Sequence, residues 1–292
     1  MKNRNNKNKV NKCDNLPFYL PNSWDCLEAK GPGPFVTKAI LRNSDGEIIY
    51  WDSRHNRKHN IKLDIDIGST WWAPKSIGWW IGVLFSIGAI CFALGAVPGY
   101  LKLVGNTYDA LTYFIGSIFF TSAAFLQYIE EINSSNTLSK KKLKFKIFVF
   151  MPRRLSWWSV FIQLLGTLFF NLTTFAAIFT NLSVNQLINL VWVPDMYGSI
   201  CFLIASFLAW IEISNGIFSW NPNSFSWNVS GFNVLGSIFF AISAIGAIII
   251  PSTGLYLSAF LVNIGTFLGA LCFLFAAILL LPERIYEKIN NN

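Results

Sequence analysis

Charged residues are scarce in this sequence. Asp, Glu, Lys and Arg make up 13% of its 292 residues, about half the share of a typical soluble protein. The chain has two histidines and no CxxC pair, and it lacks the GxSxG, HExxH, phosphate-loop and dinucleotide-binding motifs. These absences exclude a typical soluble protein. They predict a non-enzymatic chain that holds neither a cofactor nor a metal ion.

Apolar residues dominate instead, with 53% of the chain hydrophobic. Six segments have no charged residue and no histidine between their ends, apart from Glu212 at the last-but-one position of the fourth, and most reach the roughly 18 residues that cross a bilayer. We therefore expect an all-α polytopic membrane protein with six transmembrane helices. The fourth segment is short, and we expect the preceding LINLVWV to lie along the interface and Pro194 to start the helix. The segments are 77–97, 111–128, 157–179, 196–213, 227–250 and 255–281.

A polar region precedes the first apolar segment. Residues 1–34 are rich in Asn, Pro and Gly, which predicts a flexible leader. Two short strand-like runs, 35–41 and 47–51, are joined by the turn signal RNSDG, and 61–67 alternates apolar and polar residues as a half-buried strand does. We expect residues 35–70 to form a small cytosolic β-rich element.

The basic residues predict the orientation. Thirteen Lys and Arg precede the first apolar segment, seven lie in the loop 132–156, two lie in the tail 284–292, and Lys102 alone lies in the first loop. Because Lys and Arg accumulate in cytoplasmic loops, both termini are predicted to be cytosolic. The same clustering beside apolar segments favours membrane lipid, and not nucleic acid, as the partner of these charges.

A short pattern recurs in the apolar segments: a glycine, a small residue, and a phenylalanine four positions after the glycine. In the sixth copy, GTFLG, a second glycine replaces the phenylalanine. Glycine lets two helix backbones approach in a membrane, so the pattern predicts close helix packing; the alternative is that these small residues surround a central cavity. The motif residues are Gly88 and Phe92; Gly116, Ser117 and Phe120; Gly166, Thr167 and Phe170; Gly198, Ser199 and Phe202; Gly236, Ser237 and Phe240; and Gly265, Thr266 and Gly269.

A longer period pairs the segments. Trp79, Trp157 and Trp227 each lie nine residues before the glycine of an odd segment, and we expect them to be interface anchors. Glu130 and Glu212 lie fourteen residues after the glycine of an even segment, whereas Glu283 lies eighteen after Gly265. The chain is therefore predicted to contain three tandem helical hairpins, 71–131, 157–213 and 227–283.

The helix-end carboxylates oppose the helix dipole, so they are expected to need cationic partners. Arg153, Arg154 and Lys75, beside the odd segments, are the predicted partners of Glu130, Glu131 and Glu212 in a solvated ion pair that holds each hairpin. A proton-coupling role is the alternative, although such a carboxylate should lie nearer the membrane centre.

The three hairpins, the sequence Gln127-Tyr128-Ile129-Glu130, and the approach WWAPKSIGWW resemble the YrhK-like family of small membrane domains. Upstream, ILRNSDGEIIYWDSRHNRKHN is similar to the segment before the first hairpin in longer relatives. The resemblance is clearest over 71–131. It implies a membrane-embedded hairpin and no known activity or catalytic residue.

Four intramembrane amides are candidate functional groups, either as interhelical hydrogen bonds or as the lining of a solute path. They are Gln163, Asn171, Asn233 and Asn263.

Two basic clusters are expected to contact anionic lipid headgroups. They comprise Arg54, Arg57 and Lys58, and Lys140, Lys141 and Lys142.

The cysteines do not predict a disulfide framework. A zinc site built from Cys13, Cys26, His55 and His59 is disfavoured, because structural zinc sites usually pair cysteines as CxxC.

Two functions remain open from the sequence. The first is a membrane protein that organises lipids or partner proteins through closely packed helices, with homo-oligomers possible. The second is a carrier or pore for a small neutral or lipid-like solute.

Overall fold

The computed structural model describes residues 12–59, 71–134, 145–214 and 219–289. After a short 3-10 helix, Lys12–Asn15, the chain forms an antiparallel three-stranded sheet in the order β1 (Asp25–Lys30), β2 (Lys38–Arg42) and β3 (Ile48–Asp52). In the turn between β2 and β3, the Asn43 side chain accepts hydrogen bonds from the backbone N–H groups of Asp45 and Glu47. The small β-rich element is thus present.

The first strand lies within the region predicted to be a flexible leader, so that prediction is wrong for residues 12–34. Leu16 and Phe18 pack against Val36, Leu41 and Trp51 in a small core. This burial is tertiary and leaves no periodic pattern in the leader itself.

A disulfide joins Cys13, in a short 3-10 helix, to Cys26 in β1. The prediction that the cysteines form no disulfide framework is therefore wrong for these two residues, and their thiols are not free to bind zinc. The predicted strand 61–67 lies outside the described residues.

Within the described residues, six helices are long and apolar enough to cross a membrane, which confirms the predicted number. The helical part of the chain comprises α1 (Ser53–His59), α2 (Ile77–Gly95), α3 (Pro98–Val104), α4 (Asn106–Asn133), α5 (Leu155–Ala176), α6 (Val184–Gln186), α7 (Val193–Ser214), α8 (Phe225–Gly246) and α9 (Ala259–Ile289). A π-helical segment, Leu187–Trp192, connects α6 to α7.

The fourth spanning helix is therefore continuous over Val184–Ser214, and LINLVWV is part of it instead of lying along the interface. Proline inside an α-helix clashes with the carbonyl of the preceding turn. The wider π-helical turn ends two residues before Pro194, where it relieves that clash.

The six long helices form a closed ring. Going around it, α2 contacts α4, α4 contacts α5, α5 contacts α7, α7 contacts α8, α8 contacts α9, and α9 returns to α2. We call α2, α5 and α8 the inbound helices and α4, α7 and α9 the outbound helices. The end where inbound helices begin and outbound helices finish is called the charged end. The helix α1 directly follows β3 and contacts α7 and α9.

Candidate functional site

In each helix pair, a glycine on one helix faces a phenylalanine on the other. A β-carbon at Gly116 would lie 3.0 Å from the Phe92 ring, and one at Gly88 would lie 2.9 Å from the Phe120 ring. Such distances leave no room for a side chain, so these backbones approach because glycine has none. The same reciprocal contacts join Gly166 with Phe202, Gly198 with Phe170, Gly236 with Phe273, and Gly269 with Phe240.

The third pair corrects the sixth motif. Gly269, and not Gly265, faces the Gly236 carbonyl oxygen, which would lie 3.0 Å from its β-carbon. The sixth copy is therefore GALCF, with Phe273 four residues after Gly269, and Glu283 follows at the same spacing of fourteen as in the other outbound helices. The prediction that GTFLG is the sixth motif is therefore wrong. GTFLG has a small hydroxyl residue after its first glycine, as most of the other motifs do, whereas GALCF has alanine at that position.

Gly265 and Thr266 form a second contact between the same two helices, α8 and α9, one turn away from the Gly236–Gly269 contact. A β-carbon at Gly265 would lie 2.7 Å from the Phe239 carbonyl oxygen. The hydroxyl groups of Thr266 and Ser243 are hydrogen-bonded at 2.8 Å.

Six phenylalanine rings meet on the bundle axis. The three from inbound helices form one triangle, with ring centroids 5.8 to 6.3 Å apart. The three from outbound helices form a second triangle, at 5.6 to 6.4 Å, and the rings of each helix pair are 5.1 to 5.3 Å apart. This phenylalanine prism closes the axis. Its members are Phe92, Phe170 and Phe240, and Phe120, Phe202 and Phe273.

The residue after each motif glycine is at most 1% exposed. Ser117 and Thr174 join α4 to α5 through hydroxyl groups 2.9 Å apart. Ser237 donates to the Phe202 carbonyl oxygen at 3.1 Å and so joins α8 to α7. These hydroxyls lie between the helix pairs and make contacts that membrane burial favours. The six residues are Ala89, Ser117, Thr167, Ser199, Ser237 and Ala270.

A buried ion-pair cluster lies at the charged end. The Arg57 guanidinium bridges two outbound helices, with Nη1 at 2.8 Å from Glu131 Oε2 and Nη2 at 3.3 Å from Glu212 Oε2. Ser53 Oγ, one turn earlier on α1, donates to Glu212 Oε1 at 2.7 Å. All three charged side chains are at most 7% exposed. The helix α1 therefore closes the bundle at this end.

Two further cations complete the cluster. Arg154, directly before α5, contacts Glu131 Oε1 at 3.2 Å, and Ser156 Oγ donates to the same oxygen at 2.8 Å. Lys58 Nζ lies 2.7 Å from Glu130 Oε2. Each carboxylate thus has a cation beside it, as a carboxylate at the negative end of a helix dipole requires.

The cluster fixes the charge state of Arg57. Burial by itself lowers the pKa of this guanidinium. The carboxylates of Glu212, Glu131 and Glu130 together raise the pKa by more than burial lowers it, so the pKa lies above its usual value. The group is therefore a permanent cation. Removing one member of such a buried pair leaves an uncompensated charge, which typically costs about 3–5 kcal/mol.

Two predictions about these charges are wrong. Arg54 and Arg57 are buried and the Lys58 side chain is only 9% exposed, so these groups face the protein and not lipid headgroups. The outbound carboxylates hold Arg57 and Lys58 in this position. For the same reason Glu130 and Glu212 are not solvated.

Other charged candidates have different outcomes. Arg154 is a partner of Glu131, whereas Lys75 and Arg153 are exposed. The side chain of Glu283, and Lys140, Lys141 and Lys142, lie outside what the structure describes.

A polar cavity of about 50 Å³ separates the phenylalanine prism from the ion-pair cluster. Arg54, Arg57 and Lys58 of α1 line one end, and prism phenylalanines line the other. Hydroxyl and amide side chains from α4, α5, α7 and α8 line its wall: Gln127, Ser156, Ser159, Gln163, Ser206, Ser230, Asn233 and Ser237.

Two of the four candidate amides, Gln163 and Asn233, line this cavity. Asn171 and Asn263 do not line it. The Asn171 side-chain oxygen is buried without a hydrogen-bond partner, and Asn263 is half-buried on α9.

The three tryptophans make equivalent hydrogen bonds. The indole N–H groups of Trp79, Trp157 and Trp227 donate to the carbonyl oxygens of Trp71, Val149 and Ser219, each eight residues earlier, at 2.8 to 3.0 Å. Each bond fastens the chain that enters an inbound helix.

Trp157 is only 4% exposed, and its ring stacks on Phe161 at 4.8 Å. The expectation that it anchors to the membrane interface is therefore wrong, because neighbouring aromatic side chains cover it.

The residue after each of these tryptophans makes a second recurring hydrogen bond. Trp80, Trp158 and Asn228 donate to the carbonyl oxygens of prolines six residues earlier, at 2.7 to 3.1 Å. The sequence carries the signal for this bond, a proline six residues before the donor in all three pairs, which the motif analysis missed.

Sequence reasoning also missed the buried role of Ser53 and the cavity-lining Gln127 and Ser230. Single serines and glutamines carry no local signal, so only the tertiary contacts identify them. Among the described residues, no group of three or more His, Cys, Asp or Glu side chains is arranged to hold a metal ion.

Comparison of the chain with protein-family models, with curated proteins and with solved structures gives no match. The geometry therefore carries the functional argument.

Proposed function

We propose that this chain is a non-enzymatic membrane protein that holds its N-terminal sheet in a fixed orientation at one membrane surface and presents it to a partner protein. The observation that carries the proposal is the burial of Arg57 between Glu131 and Glu212. Because α1 follows β3 without a linker, this contact couples the sheet directly to the bundle.

A groove beside the sheet supports the presentation role. It has a volume of about 890 Å³ and lies between the sheet and the start of α8. Lys30, Lys38 and Tyr50 line the sheet side, and Asn223 and Phe225 line the bundle side. A mixture of charged and aromatic side chains suits an extended polypeptide segment.

The proposal treats the bundle as three copies of one helical hairpin. Three recurrences support this: the glycine–phenylalanine contacts, the tryptophan hydrogen bonds and the spacing of the outbound carboxylates. Membership of the YrhK-like family remains a prediction, as does assembly into homo-oligomers.

The proposal also places the charged end in the cytosol, since 22 of the 23 Lys and Arg lie on its side of the apolar segments. The exposed Lys75, Lys146 and Arg153 replace the buried arginines as the proposed contacts to anionic lipid. The Cys13–Cys26 disulfide lies on the same side and is the opposing observation, because structural disulfides are rare in the cytosol.

Sidedness is measurable with single introduced cysteines. Ser44→Cys lies in the turn of the sheet, and Leu103→Cys is the matched site at the other end of the bundle. We expect a membrane-impermeant maleimide to label Leu103→Cys in intact cells and Ser44→Cys after permeabilisation. The reverse pattern would contradict the cytosolic assignment and agree with the disulfide.

The presentation role is tested by photo-crosslinking in native membranes. A photoreactive residue at Tyr50, which is 80% exposed on the sheet, should give one defined protein adduct that Arg57→Ala abolishes. The matched site is Leu172, 58% exposed on α5, which should capture lipid. Adducts at Tyr50 that consist of lipid alone, or that persist unchanged in Arg57→Ala, would reject the role.

A second candidate function is a carrier for a small neutral solute, and the polar cavity favours it. In this conformation the phenylalanine prism closes the axis, so transport would require the prism to open. Uptake by liposomes that contain the protein measures this directly: uptake that Asn233→Leu abolishes supports a carrier, and permeability equal to that of empty liposomes rejects it.

A further inference from the structure

The cavity has two polar atoms whose hydrogen-bonding needs the protein leaves unmet. Ser230 is 1% exposed, and its Oγ has no hydrogen-bond partner. Gln127 Oε1 is also buried without a partner. Both residues line the cavity. A buried polar atom without a partner is costly, so an occupant is expected to satisfy these two.

We propose that the cavity is a binding site for a small neutral amide, of the class of acetamide and urea. The Gln127 carbonyl oxygen accepts hydrogen bonds, and the Ser230 hydroxyl can donate one. A primary amide offers the matching N–H donor and carbonyl acceptor in one planar group.

The charges around the cavity favour a neutral occupant. Arg57 and Glu212, both on its lining, are paired with each other. A small cation would meet the repulsion of Arg57 and Lys58, and a small anion would meet that of Glu212. A neutral molecule avoids both repulsions and loses less hydration on entry than an ion does.

The shape of the cavity limits the size of the occupant. Its volume of about 50 Å³ accommodates about four atoms of water size. The wall opposite the polar helices is apolar and includes Phe85, Ala276 and Leu280. Acetamide fits this division, with its amide toward the polar wall and its methyl group toward the apolar one.

Access depends on α1. Arg54, Arg57 and Lys58 line the cavity at the charged end, and the prism lies at its other end, so α1 borders the route by which a ligand enters. The proposal does not rest on the presentation role, because binding can be measured on the isolated protein whether or not the sheet has a partner.

The test is saturation-transfer NMR on the full chain in lipid nanodiscs, with acetamide and urea as probes. We expect saturable binding to the wild-type protein, with the two probes competing. Four heavy atoms limit the affinity to a Kd of about 0.05 mM or weaker. Trimethylacetamide carries three additional methyl groups and should not compete, because it exceeds the cavity.

Two variants assign the binding to the cavity. Ser230→Ala and Gln127→Leu should each weaken acetamide binding at least about fivefold, the effect of one lost hydrogen bond. The matched control is Ser122→Ala, since Ser122 bonds to Ile118 on its own helix and lies outside the cavity. Circular dichroism checks that each variant is folded, and if Ser230→Ala fails to fold, Gln127→Leu decides the assignment.

Three results would overturn the proposal. The first is the absence of saturable binding of either probe to the wild-type protein, with ordered water alone in the cavity. The second is equal binding to the wild-type protein and to both cavity variants. The third is competition by trimethylacetamide as effective as that by urea, which would place the binding elsewhere.

Discussion

The phenylalanine prism and the ion-pair cluster are two layers of the same bundle, yet they are built on opposite principles. Each helix pair contributes the same two rings to the prism, and the edges within pairs differ by only 0.2 Å, from 5.1 to 5.3 Å. At the charged end, the repeated carboxylates have different partners: Lys58 pairs with Glu130, and Arg57 pairs with Glu212.

The difference comes from what each layer packs against. The six prism rings pack against one another, so the three helix pairs can meet in the same way. The charged end meets α1, a single helix that cannot make identical contacts to three equivalent positions. A ring of helices with recurring contacts is therefore free to remain regular in its middle and must become irregular where a unique element docks.

The largest expected effect is at the glycine contacts that hold the regular layer. Gly198→Leu should prevent folding, because even a β-carbon would lie 2.9 Å from the Phe170 ring and 3.2 Å from the Gly166 carbonyl oxygen. The matched control is Gly231→Ala in α8, where the nearest atom is 3.5 Å away. Yield of monodisperse protein in detergent measures the outcome, and a well-folded Gly198→Leu would refute the close-packing argument.

The next effect tests the regularity of the prism. Phe92→Ala, Phe170→Ala and Phe240→Ala should each lower the free energy of unfolding by about 3–5 kcal/mol, the usual cost of emptying a buried aromatic site. We expect the three values to agree within about 1 kcal/mol, because the three sites are equivalent. Reversible unfolding in mixed micelles measures the three free-energy changes. A spread among them as wide as their mean would contradict the equivalence of the three sites.

Replacing the central cation of the ion-pair cluster should destabilise the protein more than replacing a cation of a surface ion pair. Arg57→Ala leaves Glu131 and Glu212 without their shared cation and should cost about 3 kcal/mol. Added methylguanidinium should recover part of this loss by occupying the vacated site, and Arg57→Lys should recover less than half, because an ammonium cannot bridge two carboxylates as a planar fork does.

The control for Arg57 is the surface ion pair of Lys38 and Asp52, at 3.8 Å with both side chains about 40% exposed. Lys38→Ala should change the free energy of unfolding by less than about 1 kcal/mol. Equal decreases in the free energy of unfolding for Arg57→Ala and Lys38→Ala would show that burial does not increase the contribution of the cluster to stability.

The smallest effect concerns the tryptophan hydrogen bonds. Trp79→Phe, Trp157→Phe and Trp227→Phe each remove one indole donor and should cost about 1 kcal/mol. Trp157→Phe should cost the most, since this ring is the most buried of the three. Thermal unfolding followed by intrinsic fluorescence measures the series, and no loss at any site would exclude a structural role for these bonds.

Much of the bundle could be predicted from residue pattern alone. Six apolar runs, with Glu212 near the end of one as their single charge, have few alternatives to membrane helices, and a glycine four residues before a phenylalanine places both on one helix face. The alignment failed at Gly265 because a short motif can match at two positions one helical turn apart. The spacing of fourteen residues from Gly269 to Glu283 equals that from Gly116 to Glu130 and from Gly198 to Glu212, and it identifies Gly269 as the motif glycine from the sequence alone.

The partners of the charges could not be predicted in the same way. Arg57 and Glu131 are separated by 74 residues, and nothing in a local window relates them. A basic segment before an apolar run predicts contact with anionic lipid, because such segments usually lie at the membrane surface. Folding reversed the assignment because the buried carboxylates at the ends of α4 and α7 attract cations more strongly than a solvated surface does.

By itself, the sequence determined that the chain has six membrane-length helices, a small strand-rich region before them, and a packing motif repeated along the helices. These properties follow from hydrophobicity and periodicity, which act over a few residues. The tertiary structure decided which glycine meets which phenylalanine, that the ring closes from α9 to α2, and that Arg57 lies inside the protein. Those outcomes depend on contacts between residues far apart in the chain, where shape and charge are matched only once the helices have assembled.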